Sequence, residues 1–170
     1  MKVIITGGAG FLGQQLAAAL LKNNQGLKFN QLVLADIQCP TSPIEDPRVS
    51  CVALDLTQPE AADKLIDAQT DVVFHLAAIV SSHAESDFNL GMKVNFDATR
   101  QLLEVARAKN PAIKFLFTSS LAVFGGELPD VITDLCVVNP QSSYGAQKAM
   151  CELMVNDYSR KGYVDGRVMR

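Results

Sequence analysis

The sequence predicts a doubly wound α/β parallel sheet, a Rossmann domain, on three observations. Short runs rich in β-branched and aromatic residues alternate with amphipathic stretches along the whole chain. The cores of those runs are apolar without clean alternation, the pattern of parallel strands covered on both faces. The first run leads into a turn bearing Gly7, Gly8, Gly10 and Gly13, and that turn opens a helix.

Taken in order, the first strand is Lys2 to Thr6 (KVIIT), followed by a helix over Phe11 to Asn23 with Leu12, Leu16, Ala19 and Leu20 as its stripe. The second strand is Gln31 to Asp36 and the third Val49 to Asp55. Thr57, Pro59 and Glu60 predict the next helix start, with a hydroxyl cap, an early proline and a glutamate three residues after the cap. The fourth strand is Asp71 to Ala78. A longer helix is predicted over Ser86 to Ala108, where Val94, Ala98, Leu102, Val105 and Ala106 recur at helical spacing. The fifth strand is Ile113 to Ser120, and the irregular stretch GGELPDVITDLCVVNPQSS after it is long enough to suggest function. The last helix runs from Ser143 to about Arg160 on Ala146, Met150, Leu153, Met154 and Val155. Tyr163 to Arg170 starts like a sixth strand and stops inside it, so the sequence predicts a domain cut within or before that strand. The strand–helix order implies right-handed crossovers throughout.

At 170 residues, 48% hydrophobic and 19% charged, the whole chain reads as one globular domain, residues 1–170. A net charge of −3 with scattered Lys and Arg gives no footprint for nucleic acid. The apolar runs are strand-sized, so no membrane partner is expected, and the first reaches Gly7 too soon for a signal peptide. Cys39, Cys51, Cys136 and Cys151 form no C-x-x-C pair, which suits reduced thiols in a cytoplasmic protein. Neither His75 nor His83 has metal-ligand spacing to them, so no metal site is expected, and His75 reads as a core histidine.

Gly7, Gly10 and Gly13 follow a strand and open a helix, the context that gives a glycine motif meaning. Gly7 permits the tight turn, Gly10 lets a pyrophosphate approach the backbone, and Gly13 lets the helix pack on the sheet. The helix N-terminus then offers N–H groups and positive dipole to phosphate. The spacing is G-x-x-G-x-x-G, a variant of the commoner G-x-G-x-x-G, and a ligand-free glycine turn is the alternative. Asp36 ends the second strand, where a carboxylate accepts from both ribose hydroxyls of NAD and repels the 2′-phosphate of NADP. NAD is therefore the expected cofactor. Asp55 and Leu56 fall where an adenine would lie, and the small Ala77 and Ala78 let a cofactor cross the sheet edge.

SSYGAQK sets Tyr144 and Lys148 four apart on one helix face. A phenol titrates near 10, and an ammonium within about 4–6 Å lowers it by roughly 1–3 units. The resulting tyrosinate takes a hydroxyl proton while hydride leaves the adjacent carbon. Alone, such a pair is often only a solvated helix surface. Ser120 follows the fifth strand at the carboxyl edge, where its hydroxyl can hold the reacting oxygen. The alternative for Thr118, Ser119 and Ser120 is satisfaction of backbone groups at a strand end.

TGGAGFLG, HLAA, VNFDATR, FTSSLAVFG and SSYGAQK, in that order and over nearly the whole chain, resemble the extended short-chain dehydrogenase/reductases, which include nucleotide-sugar epimerases. The resemblance implies catalytic roles for Ser120, Tyr144 and Lys148, and places Asn95 on the cofactor side of its helix. It adds Phe11, Leu12 and Leu76 to the cofactor contacts. It further implies a C-terminal lobe, absent here, that completes the substrate site, and a homodimer built on the two long helices. The chain alone is then expected to bind NAD poorly and not to turn over. Dehydratases of the family carry an Asp-Glu pair where Leu121 and Ala122 stand, so water elimination is not expected, and many epimerases carry Tyr where Phe124 stands.

AAIVSSHAESDFNLGMKVNFDATR, TSSLAVFGGELPDV and PQSSYGAQKAMCELMVNDYSRKG resemble the branch that oxidises a four-carbon sugar acid with NAD. There Ser81, Ser82 and His83 sit on the loop after the fourth strand, facing a small carboxylate substrate beside Ser120 and Tyr144, or merely cap the next helix. Three readings follow: an NAD-linked sugar-acid dehydrogenase that releases NADH, a nucleotide-sugar epimerase that returns the hydride, and a non-catalytic NAD-binding regulator.

Overall fold

The computed structural model describes residues 1–22 and 26–170. Six strands form one parallel sheet: β1 (Lys2–Thr6), β2 (Gln31–Asp36), β3 (Val49–Ala53), β4 (Thr70–His75), β5 (Lys114–Thr118) and β6 (Asp165–Met169). Their order is β3-β2-β1-β4-β5-β6, the doubly wound Rossmann topology. The order reverses between β1 and β4, where Thr6 stands level with Ala35 on one side and His75 on the other. Three strand ends thus open onto one crevice.

The helices are α1 (Phe11–Lys22), α2 (Ala61–Leu65), α3 (Ser81–Ser86), α4 (Phe88–Gly91), α5 (Ala98–Lys109) and α6 (Ser143–Arg160). A π-helical segment, Met92–Asp97, joins α4 to α5, and a 3₁₀ turn, Leu121–Val123, follows β5. Residues alternate between two cores along each strand. Ile4, Val33, Val73, Phe115 and Phe117 pack with α2, α5 and α6, while Val3, Ile5, Leu32, Leu34 and Val72 pack with Ala17 and Leu21 of α1. None of the helices among the described residues is long and apolar enough to cross a membrane.

The predicted strands overshoot the ladders at their carboxyl ends. Leu54–Asp55, Leu76–Ala78 and Ser119–Ser120 have left the sheet, and the first two of these segments line the crevice. The first helix is found as predicted to Lys22, and Asn23 lies outside the described residues. The predicted cap of the next helix does not form. Thr57 turns its hydroxyl back onto Asp55 at 2.8 Å, and α2 starts after Glu60, which takes a left-handed φ of 63° with no side-chain cap. Nor is Ser86 to Ala108 one helix. Asp87 leaves helical geometry (φ −133°) and its carboxylate accepts the Leu90 N–H at 2.9 Å, starting α4 afresh; the π segment then interrupts the ladder. Ser81, Ser82 and His83, expected on a loop, form the first turn of α3, because the extended backbone at Val80 is already its N-cap.

Candidate active site

The crevice at the carboxyl ends of β1, β2 and β4 holds a cavity of about 390 Å³. Gly7 sits at its floor with φ +73°, and a Cβ there would lie 2.8 Å from the Ala77 nitrogen, so only glycine fits between the turn and the β4 extension. Gly13 is tighter still, its added Cβ 2.2 Å from the Gly7 carbonyl, which lets α1 seat directly on the turn. Phe11 and Leu12, at the start of α1, are exposed. The first N–H groups of the helix have no partner four residues back, so the turn presents donors and positive dipole.

Asp36 is aimed by its backbone neighbours: one carboxylate oxygen accepts the Ala9 N–H at 3.0 Å and the other the Ile37 N–H at 2.7 Å. Gly7, Gly10, Asp36, Asp55, Leu56, Leu76, Ala77, Ala78 and His83 all line the cavity. The sequence reading missed Ala35, Ile37, Leu54, Thr57, Ile79, Leu90 and Val94 there. Ile37 and Leu54 directly neighbour residues it had named; for Leu90 and Val94 the apolar helix stripe was the only signal.

Asp55 lines the cavity, but its carboxylate is committed to its own turn. Gln58 first, then Thr57, hydrogen-bond to it and hold it below the usual carboxylate range. Asn95 is not among the residues that line the cavity, but it holds one that does. Its side chain is buried in the π segment, accepting the Ile79 N–H at 2.9 Å and donating to Gln147 Oε1 at 2.8 Å. Ser81 and Ser82 are exposed and do not line the cavity.

Ser120, Tyr144 and Lys148 lie where the end of β5 meets α6 and are not among the residues that line this cavity. Ser120 caps the 3₁₀ turn, accepting the Ala122 N–H at 3.1 Å. Two contacts set the α6 start: Ser142 Oγ accepts the Gly145 N–H at 3.1 Å, and Glu85 from α3 accepts the Ser143 N–H at 2.8 Å. Lys148 Nζ is buried, donates to the Thr118 carbonyl at 2.8 Å and lies 5.7 Å from the Tyr144 ring centroid. Burial pulls the Lys148 ammonium down to about 8. Burial also pushes the Tyr144 phenol above its ordinary value, with the Ser120 side chain opposing. The Lys148 ammonium, 5.7 Å from the ring centroid, does not offset this rise.

His75 is the core histidine the sequence predicts. It is fully buried, and desolvation first, then the nearby Lys148 charge, push it down to about 3, so it is neutral at physiological pH. The four cysteines are free thiols. Among the described residues there is no group of three His, Cys, Asp or Glu side chains that could hold a metal ion.

The model of the NAD dependent epimerase/dehydratase family matches residues 3–170. A D-erythronate dehydrogenase from Haemophilus influenzae is 57% identical over all of this chain and 54% of its own length. Among solved structures, a nucleoside-diphosphate-sugar epimerase from Agrobacterium tumefaciens is 41% identical with a TM-score of 0.91, over all of this chain and 52% of that one. A UDP-glucuronic acid 4-epimerase from Bacillus cereus, solved with UDP-glucuronic acid and NAD, is 28% identical with a TM-score of 0.82, over all of this chain and 56% of that one. The chain thus spans about half the length of the proteins it matches.

Proposed function

The chain belongs to the NAD dependent epimerase/dehydratase family, and from that premise we propose that it is the NAD-binding part of a dehydrogenase that oxidises a hydroxyl of a small sugar acid such as D-erythronate. The observation that supports the reading is a glycine-cleared crevice lined by Asp36 at the carboxyl ends of β1, β2 and β4, in a chain that also brings Tyr144 and Lys148 together on α6. The residues present fit NAD. Gly7 and Gly13 clear the turn, so the start of α1 would take the phosphates and Asp36 would accept from the ribose hydroxyls. When bound, NAD supplies the hydride acceptor.

The chain's own residues supply the rest. Ser120 holds the substrate hydroxyl for the phenol to reach. Tyr144, as tyrosinate, takes the hydroxyl proton as the carbon loses hydride, leaving a carbonyl. Because burial raises the phenol, oxidation should quicken as pH rises and the base loses its proton. Lys148 lies one helical turn along, its ammonium in reach of the phenol's ring. His83, at the cavity wall, is the α3 residue best placed for a substrate carboxylate. The 57% identity to a D-erythronate dehydrogenase supports the sugar acid.

The likeness to nucleotide-sugar epimerases favours a second reading, in which hydride returns to a UDP-sugar. Incubation of the longest natural form with NAD and D-erythronate, or with a UDP-sugar, separates the two. Free NADH with the acid supports the dehydrogenase; an isomerised sugar without NADH replaces it with the epimerase. The reading extends to a cytoplasmic homodimer joined through α5 and α6, where Leu153 is 72% exposed on the outer side of α6. A monomer by light scattering at micromolar concentration would contradict that assembly.

A further inference from the structure

A single run of buried hydrogen bonds links the glycine-turn strand to the catalytic helix. Thr6, the last residue of β1, meets His75 Nδ1 through its hydroxyl at 2.7 Å. His75 Nε2 meets the Thr99 hydroxyl at 2.9 Å, and Thr99 donates to the Asn95 carbonyl at 2.7 Å. The Cys151 thiol of α6 donates to that same carbonyl at 3.2 Å.

Counting hydrogens fixes the direction of this run. A carbonyl cannot donate, so the one Thr99 hydroxyl hydrogen goes to Asn95 and Thr99 must accept from His75. His75 is therefore protonated at Nε2, Nδ1 is the acceptor, and the Thr6 hydrogen goes to Nδ1. The Thr6 oxygen is then left to accept the Ala77 N–H, which lies at 3.4 Å. At the other end the Asn95 side chain accepts the Ile79 N–H at 2.9 Å. The run thus grips the segment Leu76–Ile79 at both ends, and all four of those residues line the cavity while Gly7 presses against Leu76 and Ala77.

We infer that His75, as the Nε2–H tautomer, is a positioning residue that sets the cofactor-facing segment 76–79 by bridging Thr6 to Thr99 and Asn95. This rests on the NAD reading of the crevice. The role requires a ring with one donor and one acceptor on opposite sides. A histidine that only filled space would be indifferent to which nitrogen carries the proton.

The test joins a spectroscopic readout on the wild-type protein to a pair of near-isosteric variants. Nitrogen NMR of the His75 ring should show Nε2 protonated and Nδ1 bare. Thr99→Val should weaken NAD binding about tenfold by calorimetry, while Thr99→Ser, which restores the hydroxyl, should stay within about twofold of wild type. Thr6→Val cuts the same run at its other end and serves if Thr99→Val does not fold. A His75 protonated at Nδ1, or folded valine variants binding NAD as wild type does, would overturn the positioning role. All binding is measured in the longest natural form of the protein; if its wild type binds no NAD at all, with the Nε2–H signal present, the reading of the crevice and the role that depends on it are both overturned.

Discussion

Gly145 follows Tyr144 without a side chain because an added Cβ would lie 2.1 Å from the Ala122 carbonyl oxygen. That contact is what lets the first turn of α6 press on the 3₁₀ turn and bring Tyr144 to Ser120. Gly145→Ala should lower stability by about 1–3 kcal/mol and reduce turnover together, as thermal unfolding and NADH formation would read. Lys148 gives a second residue-scale prediction. Its folded value of about 8 lies below the 10.5 of an ordinary lysine, so between those values the unfolded chain binds a proton the folded one has released. Its contribution to stability therefore rises with pH across that window. Denaturant unfolding of wild type relative to Lys148→Met should show a gain of up to about 3 kcal/mol from pH 8 to 10.5, and a flat difference would contradict the buried ammonium. The identities of most cleft residues were legible in the sequence, because motif spacing fixes which residues end a strand or open a helix. Their partners were not. That Asp55 turns onto Thr57 and Asn95 onto Ile79 depends on side-chain directions that spacing leaves open.

Among the elements, strand identities were legible because a buried parallel strand needs a continuous apolar run. The region after β4 was not. The period-3.6 pattern from Ser86 to Ala108 is compatible with one helix, but Asp87 satisfies a helix start within it and the π segment adds a local irregularity that periodicity averages away. Element ends are joined by a pair the sequence reading passed over. Arg170 follows β6 and grips Glu152 of α6 through two hydrogen bonds of 2.9 and 2.6 Å, with Glu152 only 4% exposed. Burial alone would raise the Glu152 carboxyl, and the Arg170 fork brings it below its ordinary value. Arg170→Ala leaves that carboxylate without its partner and should cost about 2–3 kcal/mol by denaturant unfolding, whereas Lys161→Ala, on an exposed residue at the helix end, should be near neutral.

At the scale of the molecule, the two faces of the sheet are unequally covered. One face carries α2, α5 and α6; the other carries α1, with Phe74 and Leu116 only partly buried against that core. The polar run through His75 crosses the better covered side, which makes the fold as a whole sensitive to acid. His75 titrates near 6.5 when unfolded and near 3 when folded, so between those values the unfolded chain takes up a proton that the folded one refuses. Stability should fall as pH drops through that window, and less so in His75→Asn; equal slopes would show that the ring is not held neutral. The central claim, that the crevice and the Ser120–Tyr144–Lys148 set together oxidise a sugar-acid hydroxyl, is tested most directly by following NADH formation from D-erythronate with the longest natural form of the protein, as wild type and as Tyr144→Phe. The account predicts NADH with wild type and a rate at least about a hundredfold lower in the variant, the loss of a general base. Equal rates in the two proteins would contradict it.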